Sequence, residues 1–409
     1  MHEFISAYSM VCATRPEYPV YCLRPQAVTL ASRWFQDNFP GRVLYAVKTN
    51  PFFVETVAAA GVQHFDVASL AEIELISSKL PGARMSFMHP VKSRTAIRRA
   101  YFDHGIRDFS LDCPAELDKI LEETGHARDL NLLVRVAVSN RHSCLQLAGK
   151  FGISGGPAAD LLLRTRQVAR RLGICFHAGS QLMQPDAYAE ALDQVAILIR
   201  RSGVIIDILD VGGGFPSVYP DLLPPPLADY VARISACFET MPVSETCELW
   251  CEPGRALVAE GASLVVRVEM RKDQTLYLND GTYGGLFDAG QPRFVYPVER
   301  VRNVKRGESP LQEFSFYGPT CDSMDYMPGP FLLPVDIDEG DYIEIGNLGA
   351  YSMQLRTEFN GFSNYLLASV SDQPLLSLYG ESRAVEVAGM TAIIDSSAKD
   401  NGQTPGETQ

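Results

Sequence analysis

The chain has 409 residues, of which 46% are hydrophobic and 21% are charged, and its formal net charge is −13. This composition is typical of a globular chain with room for two domains, and it excludes the disordered, collagen-like and fibrous classes. No apolar run approaches the roughly 18 residues that span a membrane, and the acidic balance argues against nucleic-acid or anionic-membrane partners.

The cysteines and the first residues of the chain favour a cytoplasmic location. Nine cysteines are present and no C-x-x-C pair occurs, so neither a zinc site nor a thiol redox motif is indicated. The opening segment MHEFISAYSM has no basic region ahead of an apolar core, so no secretion signal is expected. We therefore expect reduced thiols, a cytoplasmic protein and no metal site.

Eight β-like runs recur along the first part of the chain, and each interval between them can hold a helix. Helical patterns occupy residues 51–60, 70–80, 158–172 and 186–201. This alternation predicts βα units, and eight of them predict a closed (β/α)₈ barrel over residues 23–258. The runs are VLYAVK (43–48), HFDVAS (64–69), MSFMHP (85–90), DFSLDC (108–113), LLVRVAV (132–138), GICFHAGS (173–180), IDILDVGG (206–213) and ELWCEPG (248–254).

After about residue 255 the β-like runs continue without long helical patterns, and Pro and Gly are frequent, as in PGPFLLP (328–334). This predicts a second, mainly β domain of sandwich or barrel type over residues 259–395. Residues 1–22 are expected to add to that domain, and the polar tail 396–409 is expected to be disordered. The runs are LVVRVEMR (264–271), TLYLND (275–280), EFSFYG (313–318) and DYIEIG (341–346).

Polar residues at the ends of the barrel strands are candidates for chemistry, because the carboxyl ends of barrel strands meet at one mouth where active sites lie. Some of them, such as His89 and Asp112, can simply begin loops. The residues at these ends are Lys48, Asp66, His89, Asp112, Arg135, His177, the Gly212–Gly214 run and Glu252.

Lys48, in YAVKTNP, follows an apolar strand. Desolvation at the mouth would lower the pKa of its amine, which could then attack a carbonyl and form a Schiff base. A surface lysine or a structural ion pair is the alternative at this position.

The triple glycine in DVGGGFP (210–216) lets backbone N–H groups approach an anion. It is neither G-x-G-x-x-G nor a Walker loop, so no dinucleotide or nucleoside triphosphate is indicated. Ser180 and Arg255 lie at neighbouring strand ends, and with Gly214 they could hold one phosphate.

Two further motifs carry charged groups. In CEPGR (251–255), Glu252 could face a pyridine nitrogen, although an internal ion pair of this glutamate with the nearby arginine is about as plausible. In YGPTCDSMD (317–325), a thiol accompanies two carboxylates that could bind a cationic amine; an ordinary turn is the alternative. Tyr351 in GAYS (349–352) offers a hydroxyl.

Eight motifs in order resemble the fold type III, alanine-racemase-fold decarboxylases that use pyridoxal phosphate (PLP). The resemblance is strongest to the ornithine/lysine decarboxylase branch and runs from about residue 21 to residue 362. One such motif would be weak, but eight in the family's order are specific. The motifs are YAVKTNP, FDVAS, HAGSQ, GGGFP, EPGR, GPTCDSMD, GAYS and FNGF.

The resemblance implies PLP as cofactor and assigns roles around its ring. Lys48 resembles the Schiff-base lysine, and Asp66 and Glu72 are similar to residues that orient it. Arg135 resembles the residue near the phenolic oxygen, and His177 the imidazole that stacks on the ring. Glu252 resembles the partner of the pyridine nitrogen. The implied phosphate-binding and adjoining residues are Ser180, Gly212, Gly213, Gly214, Pro253, Gly254, Arg255 and Tyr351.

The resemblance also implies substrate contacts and a homodimer with two shared sites. Cys321 resembles the proton donor, and Asp322 the carboxylate that recognises the distal amine of the substrate. Both would enter the partner's barrel mouth. Asp288, with the adjacent Phe287, falls near another substrate carboxylate of the family, and Asp325 is a further candidate.

The expected reaction is decarboxylation of ornithine, or of lysine, to the diamine and CO₂. Phe215 and Asp322 favour this branch over diaminopimelate decarboxylases, which are similar. Lys48 argues against a non-catalytic regulatory homologue, which would lack it. A larger amino acid of siderophore or antibiotic synthesis stays open, and Gln181 and Ser217 depart from the family pattern.

Overall fold

Short strands alternate with helices through the first part of the chain, and strands dominate afterwards. The computed structural model describes residues 2–139, 143–145, 149–301 and 309–380. The strands are β1 (His2–Phe4), β2 (Val20–Leu23), β3 (Arg42–Ala46), β4 (His64–Val67), β5 (Arg84–Phe87), β6 (Asp108–Leu111), β7 (Asn131–Arg135), β8 (Ser143–Leu145), β9 (Arg171–Cys175), β10 (Ser180–Leu182), β11 (Ile208–Asp210), β12 (Glu248–Cys251), β13 (Ala262–Lys272), β14 (Thr275–Leu278), β15 (Val298–Val301), β16 (Leu311–Tyr317), β17 (Tyr326–Pro334), β18 (Tyr342–Ile345) and β19 (Leu366–Val370).

The helices connect the early strands and become short in the later part of the chain. The α-helices are α1 (Ala7–Thr14), α2 (Pro25–Asn38), α3 (Val54–Ala59), α4 (Leu70–Lys79), α5 (Arg94–Phe102), α6 (Pro114–Glu123), α7 (Gly155–Arg166), α8 (Asp186–Ser202), α9 (Leu227–Phe238), α10 (Arg255–Val258) and α11 (Phe287–Gly290). Short 3₁₀ turns span Val47–Thr49, Pro51–Phe53, Ala259–Gly261, Met353–Leu355 and Phe359–Gly361.

Eight parallel strands close into a barrel in the order β3, β4, β5, β6, β7, β9, β11 and β12, and β12 pairs with β3. This confirms the predicted (β/α)₈ barrel, because each of the eight β-like runs overlaps one of these strands. Every residue of β4 and β6 is buried, as expected for strands that are covered on one side by the barrel interior and on the other by helices.

Serine caps start two of the helices that follow barrel strands. The Ser69 side chain accepts a hydrogen bond from the Glu72 N–H at 3.2 Å, and Ser93 accepts one from the Ala96 N–H at 3.2 Å. Each cap satisfies a backbone donor that a helix start leaves unpaired. The chain therefore turns directly from the strand ends β4 and β5 into α4 and α5.

One helix prediction was wrong at its end. The helical pattern 158–172 continues beyond Arg166, where α7 ends, and its last residues form the start of β9. The strand wins because Arg171 and Leu172 pair with β7, and barrel pairing overrides a weak local helix propensity.

A nine-stranded mixed sheet forms the second unit, in the order β1, β19, β2, β13, β14, β16 and β17, with β18 pairing with β13 and β15. The N-terminal segment thus enters this sheet through β1 and β2. Residues 381–395 and the predicted tail 396–409 lie outside the described residues, so the domain boundaries stay predictions. The main apolar core runs from the barrel into this sheet, since Phe53 and Tyr21 belong to one buried cluster.

The PGPFLLP segment, with its two glycine-flanking prolines, lies within β17. In the described sheet β17 pairs only with β16, at the end of the strand order. An edge strand tolerates proline because it need not donate hydrogen bonds on its open side. No helix of the described ranges combines the length and the apolar character needed to cross a membrane.

Candidate active site

The carboxyl end of the barrel brings an amine next to a carboxylate. Lys48 lies in the 3₁₀ turn directly after β3, and Asp66 belongs to the neighbouring β4. Lys48 Nζ lies 3.5 Å from Asp66 Oδ2. The Lys48 side chain is 45% exposed and that of Asp66 only 3%, so the amine faces the mouth from a buried counter-ion.

The charge of Lys48 differs from the prediction. Desolvation was expected to lower the pKa of Lys48, but this pKa is raised above its ordinary value, mainly by the charge of Asp66. Burial does lower it, yet the carboxylate outweighs burial, and Tyr351 and Glu252 act in the same direction as Asp66. Lys48 is therefore an ammonium group that must lose a proton before its amine can act as a nucleophile.

Glu72 supports the turn that follows β4. Its Oε2 accepts a hydrogen bond from the Ala68 N–H at 2.7 Å. Burial raises the pKa of Glu72, and the charge of Asp66 raises it further, whereas Lys48 and the Ala68 hydrogen bond lower it. The geometry fits the implied role, because Glu72 fixes the backbone beside the carboxylate that contacts Lys48.

A neutral imidazole lies close to two cations of the mouth. His177 follows β9, and its Nδ1 accepts a hydrogen bond from the Gly179 N–H at 3.0 Å. Burial, together with the charges of Arg135 and Lys48, lowers the pKa of His177 to about 3. The ring is therefore uncharged at neutral pH, and a neutral ring suits stacking on a flat aromatic ligand.

The triple glycine crosses other backbone segments at close range. Gly212 has φ 69° and Gly214 has φ 103°, both in the region that favours glycine. A Cβ on Gly212 would lie 2.1 Å from the Phe176 carbonyl oxygen, and one on Gly214 would lie 2.5 Å from that of Gly179. Side chains here would push apart the loops after β9 and β11, so Gly212, Gly213 and Gly214 keep the two loops in contact.

Gln181 fastens these two loops together. Its side-chain amide donates to the Ser217 carbonyl oxygen, and its Oε1 accepts from the Ser217 N–H at 3.0 Å. The Leu182 N–H also donates to the Gly214 carbonyl oxygen at 3.0 Å. Gln181 has φ 55°, a region that favours glycine, so its hydrogen bonds offset backbone strain. Ser180 is thereby held beside the glycine run.

Arg255 is oriented by four residues, and its Nε is left without a partner among the described residues. Its Nη1 donates to the Tyr219 hydroxyl at 3.0 Å, and its Nη2 donates to Asp288 Oδ2 at 2.9 Å. Its Cζ lies 4.9 Å from the ring centroids of Phe294 and Tyr351. Its buried Nε has no partner among the described residues. The guanidinium is therefore positioned to give one more hydrogen bond, to an anion.

Two predicted substrate carboxylates have partners within the chain. Asp288 is buried, and its Oδ2 is ion-paired with Arg255. Asp325 is 1% exposed, and its oxygens accept hydrogen bonds from the backbone and hydroxyl groups of Thr282 and Thr320. In this structure Asp288 therefore orients the guanidinium of Arg255 and Asp325 stabilises a turn, and their contact with a substrate stays a prediction.

The loop between β16 and β17 presents a thiol and a carboxylate at the surface. Cys321 is exposed. Asp322 accepts hydrogen bonds from the Tyr283 hydroxyl and from the Met324 N–H, and these two bonds lower the pKa of Asp322. Within the described part of the chain, no hydrogen bond or ion pair joins this loop to Lys48. One chain alone therefore does not bring the thiol and the amine together.

Two residues of the site were missed from the sequence. Asp210 ends β11, and its Oδ1 accepts a hydrogen bond from the Gly212 N–H at 2.8 Å. Its signal was available, since a carboxylate stands at a strand end directly before the glycine run. Tyr219 gave no such signal, because its hydroxyl reaches Arg255 only through the folding of the loop after β11.

PLP, which the resemblance implies, fits these residues. Its phosphate requires N–H donors, and the free Nε of Arg255 and the glycine run supply them. Its ring nitrogen requires a carboxyl group, and Glu252 has a buried Oε1 with no partner among the described residues. Pro253 and Gly254 lead the chain from β12 into α10 and so hold the carboxyl group and the guanidinium near each other. Lys48 supplies the amine for the aldehyde.

A known family and a curated relative match the chain. The family model described as pyridoxal-dependent decarboxylase, pyridoxal binding domain, matches residues 26–259. The lysine/ornithine decarboxylase of Selenomonas ruminantium is 32% identical over 345 residues, which cover 81% of this chain and 84% of that protein. The match to this relative is longer than the barrel and therefore extends beyond it.

Solved structures share the architecture. The arginine decarboxylase of Paramecium bursaria Chlorella virus, bound to agmatine, has a TM-score of 0.78 and 27% identity, and the match covers 88% of this chain and 98% of that one. The lysine/ornithine decarboxylase of Vibrio vulnificus, complexed with cadaverine, has a TM-score of 0.75 and 28% identity over 90% of this chain and 100% of that one. From its fold, its mouth residues and these matches, the chain belongs to the alanine-racemase-fold pyridoxal-dependent decarboxylases and is a PLP-dependent carboxy-lyase.

Proposed function

We propose that the chain decarboxylates a basic L-amino acid, with L-ornithine preferred over L-lysine, and releases putrescine or cadaverine. The observation that carries the proposal is Asp322, a partly exposed carboxylate oriented by Tyr283 and by the Met324 N–H. An ionised, oriented carboxylate suits a distal ammonium through charge-assisted hydrogen bonds. The viral and Vibrio relatives, whose structures contain the cationic amines agmatine and cadaverine, support this substrate class.

PLP, when bound, supplies the sink for the electron pair left when the bond from Cα to the carboxylate breaks. In the proposal Lys48 holds the aldehyde of PLP, and Asp66 keeps a negative charge beside its amine. His177 packs its neutral ring on the cofactor ring. Glu252 holds a proton at the ring nitrogen, and Arg135 lies toward the phenolic oxygen.

The phosphate is held by groups from four segments of the chain in this proposal. Arg255 Nε gives the charged hydrogen bond, because it is buried and has no partner among the described residues. The remaining proposed phosphate contacts are Ser180, Tyr351 and the backbone N–H groups of Gly213 and Gly214, since the Gly212 N–H already donates to Asp210 Oδ1.

A second copy of the chain completes the site in this proposal. Cys321 gives a proton to Cα after CO₂ leaves, a role that needs the thiol near the amine of Lys48. Apolar side chains are exposed around the thiol loop, since Met324 follows it, Phe359 packs on Tyr283, and Phe287 begins α11. Burial of such surface favours association. We therefore propose a homodimer with two shared sites.

A substrate panel tests the proposal. L-ornithine, L-lysine, L-arginine and meso-diaminopimelate are offered to the holoenzyme, and CO₂ release is measured. Ornithine should give the highest kcat/KM, and Asp322→Asn should raise the KM for ornithine while the protein retains PLP. A higher kcat/KM for diaminopimelate would contradict the substrate proposal. CO₂ from none of the four would favour a larger amino acid of siderophore or secondary-metabolite synthesis, or a regulatory homologue.

Cytoplasmic location and a role in polyamine synthesis belong to the same proposal. The role in polyamine synthesis follows from the diamine product. Retention of the enzyme and of its diamine product in the cytosolic fraction of cells that express the full chain is the expected result.

A further inference from the structure

Two carboxyl groups lie together below the mouth, and the function proposed above uses only one of them. Asp210 ends β11 and Glu252 follows β12, and these strands are parallel neighbours. The Glu252 N–H donates to the Gly212 carbonyl oxygen at 2.8 Å, and the Gly212 N–H donates to Asp210 Oδ1 at 2.8 Å. The backbone therefore fixes the two acidic residues side by side.

Each carboxyl group has a buried oxygen that receives no hydrogen bond from the other described residues. These oxygens are Asp210 Oδ2 and Glu252 Oε1, and the two side chains are hydrogen-bonding neighbours. Two carboxyl groups can bond to each other only when one carries a hydrogen. A single shared proton satisfies both groups, whereas two ionised groups would repel each other at a site where Asp210 has no exposed surface.

We infer that Asp210 is a positioning residue for Glu252, that the pair holds one proton, and that Asp210 keeps this proton on the Glu252 carboxyl group for the ring nitrogen of PLP. The inference rests on the proposed role of Glu252. When the proton transfers, the O–H bond of Glu252 breaks and an N–H bond forms on the ring. The two carboxylates that remain hold the nitrogen in its protonated form.

The charges of the site agree with one shared proton. Burial raises the pKa of Asp210 to about 7, although hydrogen bonds from Gly212 and Glu252 lower it. Burial raises the pKa of Glu252 well above its usual range, and the charge of Asp210 raises it further. Three carboxyl groups face two cations here, so one proton balances the charge. The titratable groups facing the pair are Asp66, Lys48, Arg135, Cys175 and Cys251.

The test follows the ring nitrogen itself. Holoenzyme carrying PLP labelled with ¹⁵N in the ring is titrated with base, and the nitrogen chemical shift is recorded. Asp210→Asn removes the charge but keeps an oxygen that accepts from the Gly212 N–H. We expect its deprotonation midpoint to lie about 1–3 pH units below that of the wild type. Glu260→Gln, which removes a buried acid outside the site, should leave the midpoint unchanged.

The outcomes separate this inference from a purely structural role and from the proposed function. A midpoint in Asp210→Asn equal to that of the wild type would overturn the inference. The inference would also be overturned if the midpoint changed only in Asp210→Ala, which in addition loses the hydrogen bond from the Gly212 N–H. If Glu252→Gln left the midpoint unchanged, the proposed role of Glu252 would fail instead.

A measurement on the wild type covers the case in which the Asp210 variants do not fold. Infrared difference spectra of protein labelled with ¹³C-glutamate are recorded before and after cofactor-free protein is loaded with PLP. Loading should remove the band of one protonated glutamate, because its proton moves to the ring nitrogen. An unchanged glutamate spectrum would contradict the shared proton.

Discussion

At the scale of single residues, Asp288 determines how Arg255 is presented. Arg255 is 5% exposed and its charge is balanced by Asp288 at 2.9 Å. A buried guanidinium without its partner is strongly destabilising, by about 3–5 kcal/mol. A bound phosphate would be a second partner for the same charge, so the protein can replace a lost carboxylate with the cofactor.

Asp288→Asn should therefore lower the melting temperature of the cofactor-free protein. Saturation with PLP should raise the melting temperature of this variant more than that of the wild type. The melting temperature with and without PLP measures this difference. The KM for the amino acid should stay near the wild-type value, because Asp288 is ion-paired with Arg255. A large rise in the KM for the amino acid, with the same gain in melting temperature on PLP binding as in the wild type, would instead place Asp288 in the substrate site. Asp322→Asn is the control, because it should raise this KM and leave the gain in melting temperature unchanged.

At the scale of elements, the loops after β9 and β11 act as one unit because Gln181 joins them. Gln181→Ala keeps the strained backbone and loses both hydrogen bonds to Ser217, so PLP affinity should fall with a cost of about 1–3 kcal/mol. Gln181→Gly loses the same bonds but removes the strain, so its cost should be smaller. Titration of cofactor-free protein with PLP gives both affinities. Equal losses of PLP affinity in the two variants, or a larger loss in Gln181→Gly, would show that backbone strain at Gln181 does not affect PLP binding.

The 3₁₀ turn after α10 carries a pH-sensitive contact with the described C-terminal segment. Glu260 accepts hydrogen bonds from the Ser377 hydroxyl and the Leu378 N–H, and burial raises its pKa to about 7. Because the folded-state pKa lies above the ordinary value of 4.5, the folded protein keeps a proton that the unfolded chain has lost. The contribution of this proton to the free energy of unfolding is complete below pH 4.5 and is lost as the pH rises through about 7.

Glu260→Gln cannot ionise, so its stability should fall less than that of the wild type over this range. The difference in the free energy of unfolding between the two proteins should change by about 3 kcal/mol between a pH below this range and a pH above it. Unfolding curves of both proteins at pH 4.5 and at pH 8 measure it. Parallel pH profiles would contradict the proposed proton on Glu260.

The local sequence pattern was sufficient to predict most strands and helices of the barrel. Short apolar runs with polar ends, placed between helical patterns, are typical of barrel strands. The local pattern was wrong at the end of α7, which depends on pairing with β7. The proline-rich β17 was not identified as a strand from the sequence, and it is stable because it lies at the edge of the described sheet. Neither partner is visible in the local pattern.

The candidate site was predictable where a motif marks a strand end, as for Lys48 and Glu252. The local pattern does not show a partner that comes from elsewhere in the chain. The ion pair of Asp288 with Arg255 and the hydrogen bonds of Asp325 with Thr282 were not visible in it. The predicted direction of the Lys48 pKa was wrong, because this pKa depends on a side chain in the next strand. Such pairings require the fold and not the motif.

At the scale of the whole molecule, the barrel holds the cofactor residues and the second sheet holds the thiol loop. If the sites are shared between two copies, Lys48→Ala and Cys321→Ala chains should each be inactive alone. Mixed dimers of the two would contain one intact site, so random exchange should restore about a quarter of the wild-type activity. Formation of the diamine after mixing measures the recovery, because Cys321 acts after CO₂ has left.

The matched control mixes Cys321→Ala with Asp322→Asn chains. Both changes lie on the same loop, so each site of a mixed dimer keeps one defect and no recovery is expected. Absence of recovery in the first mixture, with proven subunit exchange, would contradict sharing. Recovery in both mixtures would mean that the two loop residues act in different sites.

The central claim is that the Lys48 amine holds PLP. Borohydride reduction of the holoenzyme, followed by digestion and mass spectrometry of the peptides, tests it most directly. The account predicts that the phosphopyridoxyl mass lies on the peptide containing Lys48 and that Lys48→Ala protein carries none. The label on another lysine of the wild-type chain, or on no lysine in a protein that retains PLP, would contradict the account.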